Sequence, residues 1–313
     1  NNPSVKDTDS LLNFIANHDY RLLGRPGQHV SYSNDDFGLL GAIIESVSNK
    51  GYEEYLQENI LGPLGMSRST TRLDKIKAMS NVTSLYYKDK DDKLCVTDNW
   101  QESPSLTACG FIRSTVSDLL SYVDMYMNGG VSNGKQIASS CSISRMVTPY
   151  HYFNPDVWFG YGFTIKPGYN GATLIEHSGS LKGVASNIGY VPEKDIGAVV
   201  LCNLSGFPAS KVWLGAVNLL LGLPVENPVT VKKVSPQPVS QLQKFAGSYI
   251  SGEGANIEFK VVGENLEVKI DSKTYPVETI GPDRAVLTVK RTEGHLQFLF
   301  GPDGEVWGLR HGS

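Results

Sequence analysis

The sequence predicts an α+β chain: an antiparallel sheet flanked by helices, with a helical subdomain, followed by a small all-β, barrel-like domain. Three observations carry this expectation. Apolar residues recur at spacings of three and four between residues 34 and 60. Three apolar runs between residues 172 and 203 are joined by connections too short for a crossover, which implies an antiparallel meander. From residue 257 onward apolar and polar residues alternate, punctuated by Gly263-Glu264-Asn265, Gly281-Pro282-Asp283 and Gly301-Pro302-Asp303-Gly304.

The elements follow in order. Thr8 or Asp9 is a candidate cap for a short helix carrying Leu11, Leu12, Phe14 and Ile15. Arg25-Pro26-Gly27 reads as a turn that delivers Tyr32-Ser33-Asn34 to the mouth of the next helix. That helix has Asn34 or Asp35 as candidate cap, Phe37, Leu40, Ile44 and Val47 as the apolar face, and Gly51 as its end. A further helix buries Tyr52, Tyr55, Leu56 and Ile60 and closes at Gly62-Pro63-Leu64-Gly65-Met66. Residues 67 to 108 are polar and irregular, and the charges from Lys88 to Lys93 suit a solvated loop or hairpin turn. Thr115-x-x-Asp118 resembles a capping box before a helix with Leu119, Leu120, Val123 and Met127, ended by Gly129-Gly130.

Strands are expected over 172–179, 184–191 and 196–203, the last apolar enough to be covered on both faces. A helix from Trp213 to Leu221 should lie against them. The implied domains are 1–226, a Pro- and Ser-rich linker at 227–240, and the β domain at 241–313.

The composition, 40% hydrophobic and 19% charged over 313 residues, is that of globular material. A net charge of −4 gives no reason to expect nucleic acid or an anionic membrane. The most apolar segment, Val212 to Leu223, is interrupted by Gly215, Asn218 and Gly222 and suits a core helix rather than a membrane span. Cys95, Cys109, Cys141 and Cys202 show no metal spacing and read as free, mostly buried thiols, with one disulfide as the alternative. His18, His29, His151, His295 and His311 lack ligand spacing and read as surface or loop residues. Neither a metal nor an organic cofactor is expected.

The chemistry-bearing residues fall in two places. Tyr32 and Asn34 put a phenol and a carboxamide at a helix mouth, suited to proton transfer and substrate positioning. The phenol's ordinary pKa near ~10 makes it a poor base unless positive neighbours lower it. His177-Ser178-Gly179-Ser180 ends a strand, where side chains and backbone N–H groups are exposed and a glycine permits close approach. Glu176 should face away from His177's side of the strand. Trp158 and Tyr161 suit either the cleft or the core.

With these residues in view the chain resembles the penicillin-binding-protein-like serine hydrolases: serine β-lactamases, DD-carboxypeptidases, D-aminopeptidases and related esterases. The resemblance runs through most of residues 8 to 222. It rests on Pro26-Gly27, Tyr32-Ser33-Asn34, Leu39-Leu40-Gly41, Pro63-Leu64-Gly65-Met66, Gly110 to Asp118, Tyr161-Gly162-Phe163, His177-Ser178-Gly179 and Val199 to Asn203, all in order. Residues from Leu242 through Tyr249 resemble the lipocalin-like β domain of some members.

The resemblance implies a β-lactamase/transpeptidase-like fold and acyl transfer through a covalent acyl-enzyme. Tyr32 would be the base or proton relay, its phenolate favoured by adjacent cations. Asn34 would hold the substrate or the nucleophile's lysine. His177 would stand where many relatives have lysine, with Ser178 and Gly179 lining the wall and the Ser180 N–H forming half an oxyanion hole.

The family's Ser-x-x-Lys nucleophile motif belongs upstream of Tyr32, and residues 1–31 contain none. The sole match, Ser132-Asn133-Gly134-Lys135, lies in a turn on the wrong side of Tyr32. The expectation is therefore a fold lacking its N-terminal part, the missing segment coming from another chain or copy or lying upstream of this sequence. The expected reaction is hydrolysis of amide bonds in D-amino-acid peptides, with a carboxylesterase or a non-catalytic binder as alternatives. The expected partners are a small peptide, ester or β-lactam substrate, with homo-oligomers possible and no nucleic acid.

Overall fold

The structure, a computed structural model, describes residues 5–19, 22–154, 156–228, 234–251, 255–289 and 292–312. The chain forms two compact units: Asn1–Tyr152 with Asp156–Val229, and Phe153–Pro155 with Thr230–Ser313. Among the described residues no helix is long and apolar enough to cross a membrane.

The first unit is built on a six-stranded sheet. Its strands are His151–Asn154, Val157–Phe159, Thr164–Tyr169, Ala172–Leu181, Val184–Val191 and Ile196–Cys202, lying side by side in chain order. The three expected strands are there, antiparallel, with three more before them. Ile196–Cys202 is last in the sheet order and is covered on both faces as expected, Val199 packing with the core of Val123 and Met125 and Ile196, Ala198 and Val200 with that of Trp213, although Leu201 near its end is exposed. Gly183 makes the turn between the fourth and fifth strands at a φ of +83°, and a Cβ there would lie 2.6 Å from that of Leu85.

The helix Ala209–Leu220 packs on the sheet through Trp213, fully buried, whose indole N–H donates to the Ala198 carbonyl at 2.9 Å. Gly189 makes room for that indole, since a Cβ would sit 2.4 Å from the Ile175 carbonyl oxygen and 2.7 Å from Trp213. The helix Val116–Met127 also packs against the Ile196–Cys202 strand, and it joins Leu56, Leu61, Phe163 and Ile165 in the main core.

Two helix starts are set by side chains one position before those expected. Asp7, not Thr8 or Asp9, caps Thr8–Ala16 in a reciprocal capping box with Ser10. Ser33, not Asn34 or Asp35, caps Asn34–Ser48, its hydroxyl accepting from the Asp36 N–H at 3.1 Å. Asn49, left-handed at φ 53°, ends that helix before Gly51 is reached. Thr115 caps as expected, but Asp118 turns away to accept from the Arg68 N–H and the Ser69 hydroxyl.

The larger correction concerns the Asn34–Ser48 helix. Its buried residues are Gly38 and Gly41, while of the expected face Phe37, Leu40 and Val47 are exposed and only Ile44 is half-buried. The glycines let Leu11, the Ser105 carbonyl and Ala108 approach the helix backbone, so the small face packs and the apolar stripe points out. Residues 67 to 108 hold more order than expected: a helix at Leu73–Ala78 and a hairpin of Leu85–Lys88 with Leu94–Thr97, the charge cluster forming its turn. Three cysteines are half-buried and Cys141 is exposed, all four free, so they are less buried than expected. His151, His295 and His311 lie in strands rather than loops, His311 exposed as expected and the other two half-buried.

The second unit is a helix, Val239–Phe245, followed by a seven-stranded antiparallel meander with its strands in sequence order, barrel-like as expected. Alternation supplies its core: Phe259, Leu266, Val268, Leu287, Leu296 and Phe298 point inward with Phe245. Phe245 and Phe298 stack at 4.0 Å between ring centroids. The expected linker falls partly on residues 229–233, outside the described residues.

Candidate active site

Tyr32 immediately precedes the Ser33 cap and is 56% exposed. The cap fixes where the extended segment meets the helix and so where the phenol stands. Its ring lies 6.3 Å from the His177 imidazole, nearly parallel at 29°, and 6.4 Å from the Phe159 ring. Two residues far apart in sequence thus meet, as the motifs imply. Asn34 is the first residue of the helix and exposed, and Asp35 and Asp36 sit in its first turn.

The strand Ala172–Leu181 supplies the facing wall. It is buried at Leu174, Ile175 and Glu176 and exposed from Ser178 to Leu181. Pairing with the Thr164–Tyr169 strand ends at Glu176, whereas pairing with Val184–Val191 continues to Leu181. From His177 on, the strand is therefore one-sided, with backbone groups open to a ligand. His177 Nδ1 lies 2.7 Å from the Ser178 carbonyl oxygen. A carbonyl only accepts, so Nδ1 carries the hydrogen and Nε2 is left for a partner.

Behind that wall, on the other face of the strand, lies a buried network. Lys166 pairs with the Glu176 carboxylate. The Asn187 amide donates to the same carboxylate at 2.6 Å, and the Ser210 hydroxyl donates to the Asn187 carbonyl at 3.0 Å. Glu176 thus faces away from His177, as the alternation predicts. Asn187, fully buried, pins the fifth strand to the fourth next to Ser178, its register partner.

Burial raises the Tyr32 pKa above its ordinary value, with the Cys109 thiol adding to the shift. This is opposite to the phenolate-favouring direction implied by the resemblance. The lysine of a Ser-x-x-Lys motif, which that expectation needs, is not in residues 1–31. Ser132 is buried in a two-residue hairpin strand, consistent with dismissing it as a nucleophile. Trp158 packs on Tyr152 and the core, and Tyr161 is exposed. Among the described residues no group of three or more His, Cys, Asp or Glu could hold a metal.

Beside the wall, a cavity of about 900 Å³ opens between the helices and the sheet. Leu56, Leu61, Tyr122 and Tyr126 line its helical side, and Lys182, Ser186, Ile188 and Leu201 its sheet side. Phe159 and Asn187 escaped the sequence reading, as did the place of Cys109 beside Tyr32. Only Asn187, a polar residue amid an apolar strand, left a signal there.

Residues 3–220 match the Beta-lactamase family. An octameric penicillin-binding protein homologue from Pyrococcus abyssi superimposes with a TM-score of 0.65 at 30% identity, covering 96% of this chain and 68% of that one. The unguisins hydrolase ungD of Aspergillus violaceofuscus is 22% identical over 243 residues, 70% of this chain and 43% of that protein. The D-amino acid amidase of Ochrobactrum anthropi SV3, solved with D-phenylalanine, shares the fold at a TM-score of 0.54 and 20% identity, over 70% of this chain and 63% of that one. The chain spans 34% to 44% of the length of the curated relatives it matches.

Proposed function

The chain belongs to the Beta-lactamase family of serine hydrolases, and on that premise we propose that it forms most of an acyl-transfer site for amide bonds of D-amino-acid peptides. The observation that carries this reading is the meeting of Tyr32 with His177 at the one-sided end of the Ala172–Leu181 strand. In this proposal a serine attacks the scissile carbonyl carbon. Tyr32 takes the serine's proton and passes it to the leaving amine as the C–N bond breaks. Water then cleaves the acyl-serine ester by the same relay. The Ser180 N–H donates to the developing oxyanion, His177 and Ser178 hold the substrate's polar end, and Gly179 lets the substrate lie along the strand. Asn34 anchors the substrate or the serine's lysine.

The serine is supplied by a Ser-x-x-Lys helix outside residues 1–313. The cavity supports this: its volume and apolar walls suit about two helical turns, and its Lys182 and Ser186 end adjoins the strand that bears Ser180. Histidine at 177, where a lysine commonly binds a lactam carboxylate, favours peptide amides over β-lactams. The amidase and the unguisins hydrolase among similar proteins favour an amide substrate. The octameric homologue supports self-association.

The test is to express the chain together with its upstream coding segment and treat it with penicillin and a fluorophosphonate. Mass spectrometry should find an adduct on a Ser-x-x-Lys serine, and Tyr32→Phe should slow acylation by ~10²-fold or more. No adduct would leave a binding protein. Normal acylation in Tyr32→Phe would remove Tyr32 from the relay.

A further inference from the structure

The wall strand ends in a turn that is held from outside the sheet. Leu181 pairs with Val184 across Lys182-Gly183. The Lys182 N–H donates to the Gln101 side-chain oxygen at 2.8 Å. The Gly183 N–H donates to the Ser205 hydroxyl at 2.6 Å, and the Lys182 ammonium lies 4.7 Å from the centre of the Tyr87 ring. Gln101 is itself anchored. Its carbonyl accepts from the Arg113 guanidinium at 2.6 Å, and that guanidinium also donates to the Thr71 carbonyl at 2.6 Å and covers the Trp100 ring.

The phase of the strand decides which backbone groups stay open. In an antiparallel pair, residues that exchange ladder bonds alternate with residues that do not. A two-residue turn makes its flanking residues, Leu181 and Val184, an exchanging pair. By the same phase Gly179 and His177 bond to the Val184–Val191 strand. Ser180 and Ser178 then point their N–H groups the other way, to the side where pairing with the Thr164–Tyr169 strand has ended. The next N–H of that phase belongs to Lys182, and it is the one that Gln101 takes. Both residues are exposed, where one hydrogen bond adds little to global stability. Its effect is local: it steadies a strand end that has lost one of its two neighbours.

We propose that Gln101 is a positioning residue for acyl transfer: by holding the Lys182 N–H it fixes the end of the wall, and with it the aim of the Ser180 N–H. The inference rests on the proposed amide-hydrolase reading and deepens it. An oxyanion donor is effective when it is aimed before the charge develops. The ladder on one side alone leaves the last residues of the strand free to twist, and the Gln101 loop supplies the second side.

The experiment uses the protein with its upstream coding segment. It compares Gln101→Leu, which keeps the side chain's size without the acceptor, with Gln101→Glu, which keeps an acceptor oxygen. Acylation is followed at increasing fluorophosphonate concentration. Gln101→Leu should slow the saturating rate at least about tenfold and leave the half-saturating concentration within about twofold, the split of a group that acts in the transition state. Gln101→Glu should recover most of that rate. Hydrogen exchange at the Lys182 amide should speed about fivefold in Gln101→Leu and not in Gln101→Glu. An unchanged saturating rate in Gln101→Leu, an equal loss in both variants, or unchanged exchange at Lys182 would each overturn the positioning role. If the unsubstituted protein forms no serine adduct, the hydrolase reading falls and exchange alone decides. Faster exchange at Lys182 and Leu181 in Gln101→Leu, restored in Gln101→Glu, would keep Gln101 as the clamp of the wall, and unchanged exchange would remove it.

Discussion

In the C-terminal unit most of the patterned apolar side chains are inside, Phe259 and Phe298 of the meander and Phe245 of its helix nearly inaccessible, while Ile250, Val262 and Trp307 are exposed. In the Asn34–Ser48 helix Phe37, Leu40, Ile43 and Val47 are outside, Val47 being 76% exposed, and the fully buried residues are glycines. The difference is one of fit. A pleated sheet has two faces, and closing one of them dictates which alternate residues go in. A helix can be approached from any side, and its neighbours take the side with the least bulk if they gain backbone contact there.

Four experiments break or sharpen that contrast. Phe298→Ala removes a ring stacked on Phe245 and edged by Phe259. It should cost ~3–5 kcal/mol in urea denaturation, and a cost under ~1 would mean the sheet's core is not what holds it.

Gly38→Ala sets two opposing effects against each other. Alanine favours a helix by ~1 kcal/mol. Its methyl, however, would lie 2.8 Å from both the Ser105 carbonyl oxygen and Leu11 Cδ2. Overpacking costs ~1–3 kcal/mol, so a net loss is expected in the same assay. A stabilised variant would show the glycine face to be loosely packed.

Alkaline titration compares the two units by their tyrosines. Burial holds Tyr122, Tyr126 and Tyr190 well above the ordinary phenol value, and pushes Tyr249 in the meander up to about 12. These groups favour the neutral form in the folded state. Their contribution is complete below pH ~10 and is lost as pH rises through the raised values. Phenolate absorbance should therefore rise in two stages, the later one coinciding with unfolding. A single stage near pH ~10 without unfolding would contradict the burial.

The smallest effect is on the open stripe. Leu40→Ser or Val47→Ser should change stability by no more than ~0.5 kcal/mol. A loss of ~2 kcal/mol would mean that the stripe is covered in solution, and sedimentation of the variant would show by what.

Legibility in the sequence follows the same contrast. The strands 172–181, 184–191 and 196–202 and the C-terminal alternation were readable because tight turns and period two leave few arrangements open. Tyr32 and His177 were readable as motifs, and the structure brings their rings together. The inward face of the Asn34–Ser48 helix was not, because Gly38 and Gly41 carry no hydrophobic signal and their value lies in what they let approach. The strands at 151–169 were missed for a different reason. They are short and rich in Tyr, Phe and Gly, and their order comes from pairing with the next strand rather than from their own pattern.

The buried Lys166–Glu176–Asn187 cluster has a consequence for how such a site can vary. Residue 176 holds the strand from beneath, and residue 177, one step along, carries chemistry on top. Alternation keeps the two faces mechanically apart. An imidazole at 177 can give way to an amine, or the reverse, without touching the ion pair that fixes the backbone. The strand works as a fixed rail with an exchangeable tool, so the reaction can drift across substrates while the rail stays in register.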